Sequence, residues 1–200
     1  ESGFKLHLGQ AAASIDRAAK IVTTQGGEQI PYDKLVLATG SYPFVQPVKG
    51  NDREECLVYR TIEDLEAMKA AATRSKIGVV VGGGLLGLEA AKALRDLGLQ
   101  THVVEFAPRL MAVQIDDGAG KLLRSKIEAL GVGVHLGKNT TEIVDGETCR
   151  HRMNFADGSH LETDMILFSA GIRPRDELAR SSGLSVGVRG GIEKIGRAHV

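Results

Sequence analysis

A chain of 200 residues with 42% hydrophobic residues can bury the core of one to two domains. Its 25 Lys and Arg balance 25 Asp and Glu, so a net charge of +0 offers no electrostatic footprint for nucleic acid or a membrane surface. No Trp is present, no apolar run reaches membrane-spanning length, and Cys56 and Cys149 lie too far apart for a disulfide framework or a metal-ligand cluster, so a cytoplasmic protein with two incidental thiols is expected.

Residues 4–9 read as a strand followed by a turn. Residues 14–24 alternate around Ile15, Ile21 and Val22, which predicts antiparallel strands, and Gly26-Gly27 supplies a hairpin turn. Residues 35–38 are apolar at every position, the pattern of a strand buried on both faces of a parallel sheet. Residues 41–50 hold Pro43, Pro47 and Gly50 and read as a loop or linker. Thr61, with an acid at Asp64, resembles a capping box and predicts a helix to about Thr73.

The stretch 77–105 then reads strand, glycine turn, helix, strand. Val79-Val80-Val81 is a β-branched run, and Gly82-Gly83-Gly84-Leu85-Leu86-Gly87 fits G-x-G-x-x-G. Leu86, Ala90, Ala93, Leu94 and Leu97 recur at helical spacing up to Gly98, and a second strand ends at Glu105. Each part has a physical role in a dinucleotide site. Gly82 makes a tight turn, Gly84 lets the backbone approach a pyrophosphate, and Gly87 lets the helix pack on the strand. The N–H groups of Leu85 and Leu86 open the helix, at the positive end of its dipole. Glu105 can accept both hydroxyls of an adenosine ribose. Its negative charge favours NADH over NADPH, whose 2′-phosphate it repels. Arg109, four residues on, could clamp such a phosphate, but as a loop surface charge it fits better.

Beyond that stretch, residues 119–130 are amphipathic and stop at Gly131, 132–136 form a third parallel strand, and 140–161 hold a small antiparallel meander. Residues 164–171 contain another wholly apolar strand. Residues 27–43 superpose without a gap on 158–174: Gly27 on Gly158, Asp33 on Asp164, Gly40 on Gly171 and Pro43 on Pro174. The second copy carries its own glycine turn. The first shows only its meander and final strand, so its glycine turn is expected before residue 1, in keeping with a chain that starts at Glu1. The whole protein would then hold two nucleotides.

Ala38-Thr39-Gly40, the 82–89 fingerprint and Ala170-Gly171-Ile172-Arg173-Pro174 resemble the flavin-dependent pyridine nucleotide oxidoreductases, over about residues 4–192. Tyr59-Arg60-Thr61-Ile62, Glu105-Phe106-Ala107-Pro108 and Arg173-Pro174-Arg175-Asp176 are most similar to the nitrite-reducing branch of that family. The resemblance implies an α/β fold with two Rossmann-like dinucleotide-binding domains, of which this flavoprotein fragment holds a complete NAD domain and a partial FAD domain. It divides the chain into 1–57, the end of the first FAD-domain segment; 58–175, the NAD(P)H domain; and 176–194, a return towards the FAD domain. Residues 195–200 do not fit the family and read as a non-native tail.

By position, the resemblance places Thr39, Gly40 and Arg60 beside FAD, and Gly82, Gly84, Leu85, Leu86 and Gly87 under the NADH pyrophosphate. Glu105 holds the adenosine ribose, and Glu89 and Gly171 border the nicotinamide. Arg60 also admits a reading as a solvated helix-start residue, and Glu89 reads equally as a first-turn acid favoured by the helix dipole. The implied reaction passes hydride from NADH to FAD and then electrons to siroheme and an iron–sulfur cluster held further along, with nitrite reduced to ammonia. The cofactors carry this chemistry, so no catalytic acid or base and no metal ligand is expected within the chain. Two other readings stay open: a rubredoxin or ferredoxin reductase or NADH oxidase of the same family, and a non-enzymatic NADH-binding sensor. His7, His102, His135, His151 and His160 show no ligand spacing and read as packing or solvated residues.

Overall fold

Short runs that cannot satisfy their backbone alone find partners in two separate units. The computed structural model describes residues 3–194; the tail expected at 195–200 lies outside them. The chain divides into a larger unit, Pro43–Ile172, and a smaller one built from the segments before and after it.

The smaller unit starts with β1 (Ala12–Asp16), β2 (Ile21–Thr24) and β3 (Gln29–Pro31), an antiparallel sheet in that order. Asp16 closes the first turn, its Oδ1 accepting the N–H groups of Ala18 and Ala19 at 2.9 and 2.8 Å. Two expected strands are absent. Residues 4–9 are irregular apart from a turn at Leu8-Gly9, and Phe4, Leu6 and Leu8 are exposed. Residues 35–38 are irregular too, with Val36 exposed. The cause is the same in both: among the described residues neither segment has a neighbouring strand, and a strand without a ladder leaves its N–H and C=O groups to water. The loop expected at 41–50 contains β4 (Ser41–Pro43), in which the chain enters the larger unit.

There, β5 (Cys56–Val58) leads to α1 (Ile62–Ala72). Its capping box is complete: Thr61 Oγ1 accepts the Asp64 N–H and Asp64 Oδ2 accepts the Thr61 N–H. Next come β6 (Ile77–Val81), α2 (Leu85–Asp96), β7 (Gln100–Glu105), α3 (Asp117–Ala129) and β8 (Gly133–Leu136). The meander follows as β9 (Thr140–Asp145), β10 (His151–Phe155) and β11 (His160–Thr163), and β12 (Met165–Phe168) closes the series. The main sheet runs β5-β12-β6-β7-β8 with all its pairs parallel.

Alternation along the central strands sorts side chains into two cores. Val80, Val103 and Leu167 pack with Met68 of α1 and Ala90 and Leu94 of α2. Val79, Val81, Val104, Ile166 and Phe168 pack with Ile143, Met153 and Phe155 of the meander. This explains why β6 and β12 read as unbroken apolar runs. Each such side chain contributes roughly 1.5–3 kcal/mol on burial. Asp164 sets the register of β12, its Oδ2 accepting the N–H groups of Lys76 and Ile77 at 2.7 and 3.0 Å. Leu57 of β5 stands opposite Leu167 in this sheet, so the larger unit starts at Pro43, before the boundary expected at 57/58. Its end falls at Ile172 instead of residue 175, and the chain returns to the smaller unit through β13 (Ile172–Pro174) and α4 (Glu177–Ser181).

The internal repeat is visible in the backbone. Gly27 and Gly158 both have positive φ, 83° and 80°, as do Gly40 and Gly171, 68° and 108°. Strands β4 and β13 occupy identical places in the two copies. The copies part at their apolar strand: Met165–Phe168 is buried between β5 and β6, whereas its counterpart at 34–37 forms no strand.

Three histidines sit where protonation is unfavourable. His102 and His135 meet across β7 and β8, with 3.2 Å between Nδ1 and Nε2. Burial lowers the pKa of both, reinforced at His102 by His135 and at His135 by Lys138 and Arg124. His151 is buried; its Nδ1 accepts Arg53 Nε at 3.3 Å and its Nε2 donates to Glu54 O at 2.7 Å. Burial is also the main reason its pKa is lowered. The folded state therefore favours neutral rings. On acidification the unfolded chain takes up protons first, near its ordinary value of 6.5, and stability falls from there downward. The thermal unfolding midpoint is expected to drop between pH 7 and pH 5, and a His102→Gln/His135→Gln variant should show a shallower drop.

Candidate dinucleotide site

The glycine turn is built by contacts that exclude side chains. Gly82 has φ 119° and donates its N–H to Val104 O at 2.8 Å. A Cβ there would lie 2.3 Å from the carbonyl oxygen of Ser169. At Gly87 a Cβ would lie 1.9 Å from the Gly82 oxygen, so α2 sits directly against the turn. Gly84 differs. It is the N-cap of α2 with extended backbone, and a Cβ there would meet nothing within 4 Å. The space in front of Gly84 is open, and no side chain caps the first turn of α2. The N–H groups of Leu85 and Leu86 thus open a twelve-residue helix at its positive end.

Glu105 closes β7 beside this turn. Its Oε2 accepts the Gly83 N–H at 2.5 Å and its Oε1 accepts the Ala107 N–H at 2.7 Å. The carboxylate therefore ties the glycine turn to the following loop while each oxygen keeps a lone pair for a further donor. A cavity of about 700 Å³ lies over these groups, bordered by Gly82, Gly84, Leu85, Leu86, Glu105 and Phe106 on this side. Arg60, Tyr59, Phe168 and Gly171 line it as well. The volume is of the size that small-molecule sites take. Leu85, Leu86, Phe106, Val113 and Ile172 are exposed apolar side chains among its lining residues.

Eight of the eleven expected residues lie in this arrangement: Gly82, Gly84, Leu85, Leu86, Gly87, Glu105, Arg60 and Gly171. Gly87 acts from beneath, without lining the cavity. Arg60 donates its backbone N–H to Asp64 Oδ2 at 3.0 Å, which fixes where its side chain leaves the helix start. Glu89 is exposed on α2 and is not a lining residue. It follows the first turn, which holds no acid, so the dipole does not account for it either. Thr39 and Gly40 belong to the smaller unit, where Thr39 Oγ1 donates to Arg175 O at 2.6 Å and Arg175 N donates to Gly40 O at 3.0 Å.

Arg109, expected as a loop surface charge, is half-buried and bonded within its own loop. Its Nε donates to Ile115 O at 3.2 Å, its Nη2 to Ala112 O at 3.0 Å and its Nη1 to Asp117 Oδ1 at 2.7 Å. Spacing could not reveal this, because two of its three acceptors are backbone carbonyls that any residue provides. Met111 was likewise invisible: a non-glycine residue with φ 47°, it donates its N–H to Gly83 O at 2.9 Å and lines the cavity. Cys56 and Cys149 are free thiols. Burial pushes Cys56 up to about 11, which keeps it protonated and a poor nucleophile near neutral pH. Among the described residues no three His, Cys, Asp or Glu side chains gather as metal ligands, and no helix is long and apolar enough to cross a membrane.

Comparison with known proteins agrees with this geometry. The pyridine nucleotide-disulphide oxidoreductase family matches residues 1–195. The large subunit of nitrite reductase [NAD(P)H] from Klebsiella oxytoca is 61% identical over 192 residues, 96% of this chain and 20% of that protein. The nitrite reductase (NADH) large subunit of Escherichia coli K12 is 58% identical over 191 residues, 95% of this chain and 23% of that protein. The chain thus spans about a fifth of the length of these relatives. Among solved structures, a ferredoxin reductase from Rhodopseudomonas palustris superposes with a TM-score of 0.83 at 30% identity, covering 89% of this chain and 44% of that one.

Proposed function

Because the chain belongs to the pyridine nucleotide-disulphide oxidoreductase family, we propose that its Pro43–Ile172 unit is the NADH-binding part of an FAD-dependent oxidoreductase whose complete form reduces nitrite to ammonia. The carrying observation is the open space in front of Gly84, beside the uncapped α2 and the acid at Glu105. A pyrophosphate fits where a Cβ would project, against the N–H groups of Leu85 and Leu86. The adenosine ribose reaches the remaining lone pairs of Glu105, and the nicotinamide extends towards Gly171 and Arg60. Glu105 selects NADH over NADPH by charge. Thr39 and Gly40 border FAD, which when bound supplies the hydride acceptor. The unit's own residues position the donor and shield it from water; none of them needs to exchange a proton for hydride to move.

The identities of 61% and 58% with nitrite reductase subunits support nitrite as the terminal acceptor, with siroheme and an iron–sulfur cluster carried by further parts of the complete protein. The likeness to a ferredoxin reductase favours a second reading, in which a small redox protein takes the electrons. The complete gene product decides between them. Under anaerobic conditions NADH should bleach its flavin, and nitrite should then restore the colour with ammonia formed. Restoration by an oxidised acceptor such as ferredoxin, itself reduced in the step, but not by nitrite would favour the second reading. Binding of NADH without any flavin would favour a sensor.

A further inference from the structure

We propose that Arg109 is a positioning residue for the adenosine half of the cofactor: it holds the loop between β7 and α3 in the shape that walls that end of the cavity. This rests on the NADH reading above. Met111, Ala112, Val113 and Gln114 of this loop line the cavity and form a turn, in which Met111 O accepts the N–H groups of Gln114 and Ile115 at 2.9 and 3.1 Å. Met111 sits at φ 47°, a conformation that a non-glycine residue keeps only when its surroundings enforce it. Two side-chain anchors add to these backbone bonds. Leu110 is fully buried in the helix-side core. Arg109 donates to the carbonyl of Ala112 within the wall, to that of Ile115 just after it, and to Asp117 at the start of α3. Its stem lies along Gly120, where a Cβ would come 3.2 Å from Arg109 Cδ, so the helix leaves a slot for it.

The carbonyl contacts matter more than the ion pair. Asp117 is largely exposed, and an exposed pair of this kind contributes little. A planar guanidinium can reach three acceptors in fixed directions; an ammonium cannot do so in the same geometry. The loop is also tied to the glycine turn, since the Met111 N–H donates to Gly83 O and Gly83 N–H donates to Glu105. Releasing Arg109 therefore loosens the wall next to the ribose acceptor without touching the nicotinamide end.

The test compares donors and ligands that contain or lack adenosine, in the complete gene product. Arg109→Ala should raise the KM for NADH about tenfold at unchanged kcat, and raise the Kd of ADP-ribose, measured calorimetrically, by a similar factor. Reduction by nicotinamide mononucleotide in its reduced form, which has no adenosine, should be unaltered. Arg109→Lys, which keeps the charge and stem, should shift both values in the same direction by a smaller factor and serves if the alanine variant does not fold. Equal losses with both donors, or an unchanged ADP-ribose Kd, would overturn the inference. A wild-type protein that binds neither NADH nor ADP-ribose would instead overturn the NADH reading, and this inference with it.

Discussion

Gly82→Ala should lose both the fold of the turn and the nucleotide, whereas Gly84→Ala should lose the nucleotide alone. At Gly82 two costs coincide. With φ at 119°, an L side chain is strained there, at a cost of about 1–3 kcal/mol. The Cβ would also stand 2.3 Å from Ser169 O and 2.7 Å from Ser169 C, backbone atoms just beyond the central strand β12 that no rotamer change can move. Overpacking of that kind adds about 1–3 kcal/mol. Together these approach the whole stability of a marginal domain, on the order of 5–15 kcal/mol. A fall of ~10 °C in the thermal midpoint is expected. At Gly84 the backbone is ordinary and the Cβ meets nothing. The midpoint should hold, while the methyl group occupies the space assigned to the pyrophosphate and weakens NADH at least tenfold. A stable Gly84→Ala protein with full NADH affinity would contradict the assignment of that space.

The second large effect is expected at Glu105. Its carboxylate accepts two backbone N–H groups, each a charge-assisted bond contributing about 1.5–3 kcal/mol. In Glu105→Ala both donors lose their partner and the ribose loses its acceptor, so NADH affinity should fall about 100-fold, which is ~2.7 kcal/mol. Glu105→Gln is no mild replacement. Only one of its two terminal atoms can accept, so one of the Gly83 and Ala107 N–H groups would face an amide N–H. It should resemble the alanine variant in NADH affinity. NADPH, freed from the repelling charge, should lose less, and the preference between the two should narrow. Titration of both variants with NADH and NADPH checks this; a preserved preference would show that another group sets it.

What the sequence made legible follows from locality. The turn, helix and acid of 77–105 depend on neighbours in the chain, and each lies where spacing puts it. The capping box at Thr61 is likewise local and is present in full. The repeat was legible because its glycines carry backbone demands, and these recur as positive φ at Gly27, Gly158, Gly40 and Gly171. Errors arose where a partner elsewhere decides. Residues 35–38 and 165–168 share one apolar pattern, but only the second lies between strands that complete its ladder. The boundary expected at 57/58 ignored β5, whose membership of the main sheet depends on β12 more than a hundred residues later. The carbonyl acceptors of Arg109 leave no mark in a sequence, and neither do the two backbone donors on Glu105.

A crystal structure of the NADH complex tests the central claim most directly. The pyrophosphate should accept hydrogen bonds from the backbone N–H groups of Leu85 and Leu86, in the space in front of Gly84. The adenosine ribose should donate to Glu105, with the adenine beside the loop that Arg109 holds. A nucleotide bound away from the turn between β6 and α2, or one whose ribose leaves Glu105 uncontacted, would contradict it.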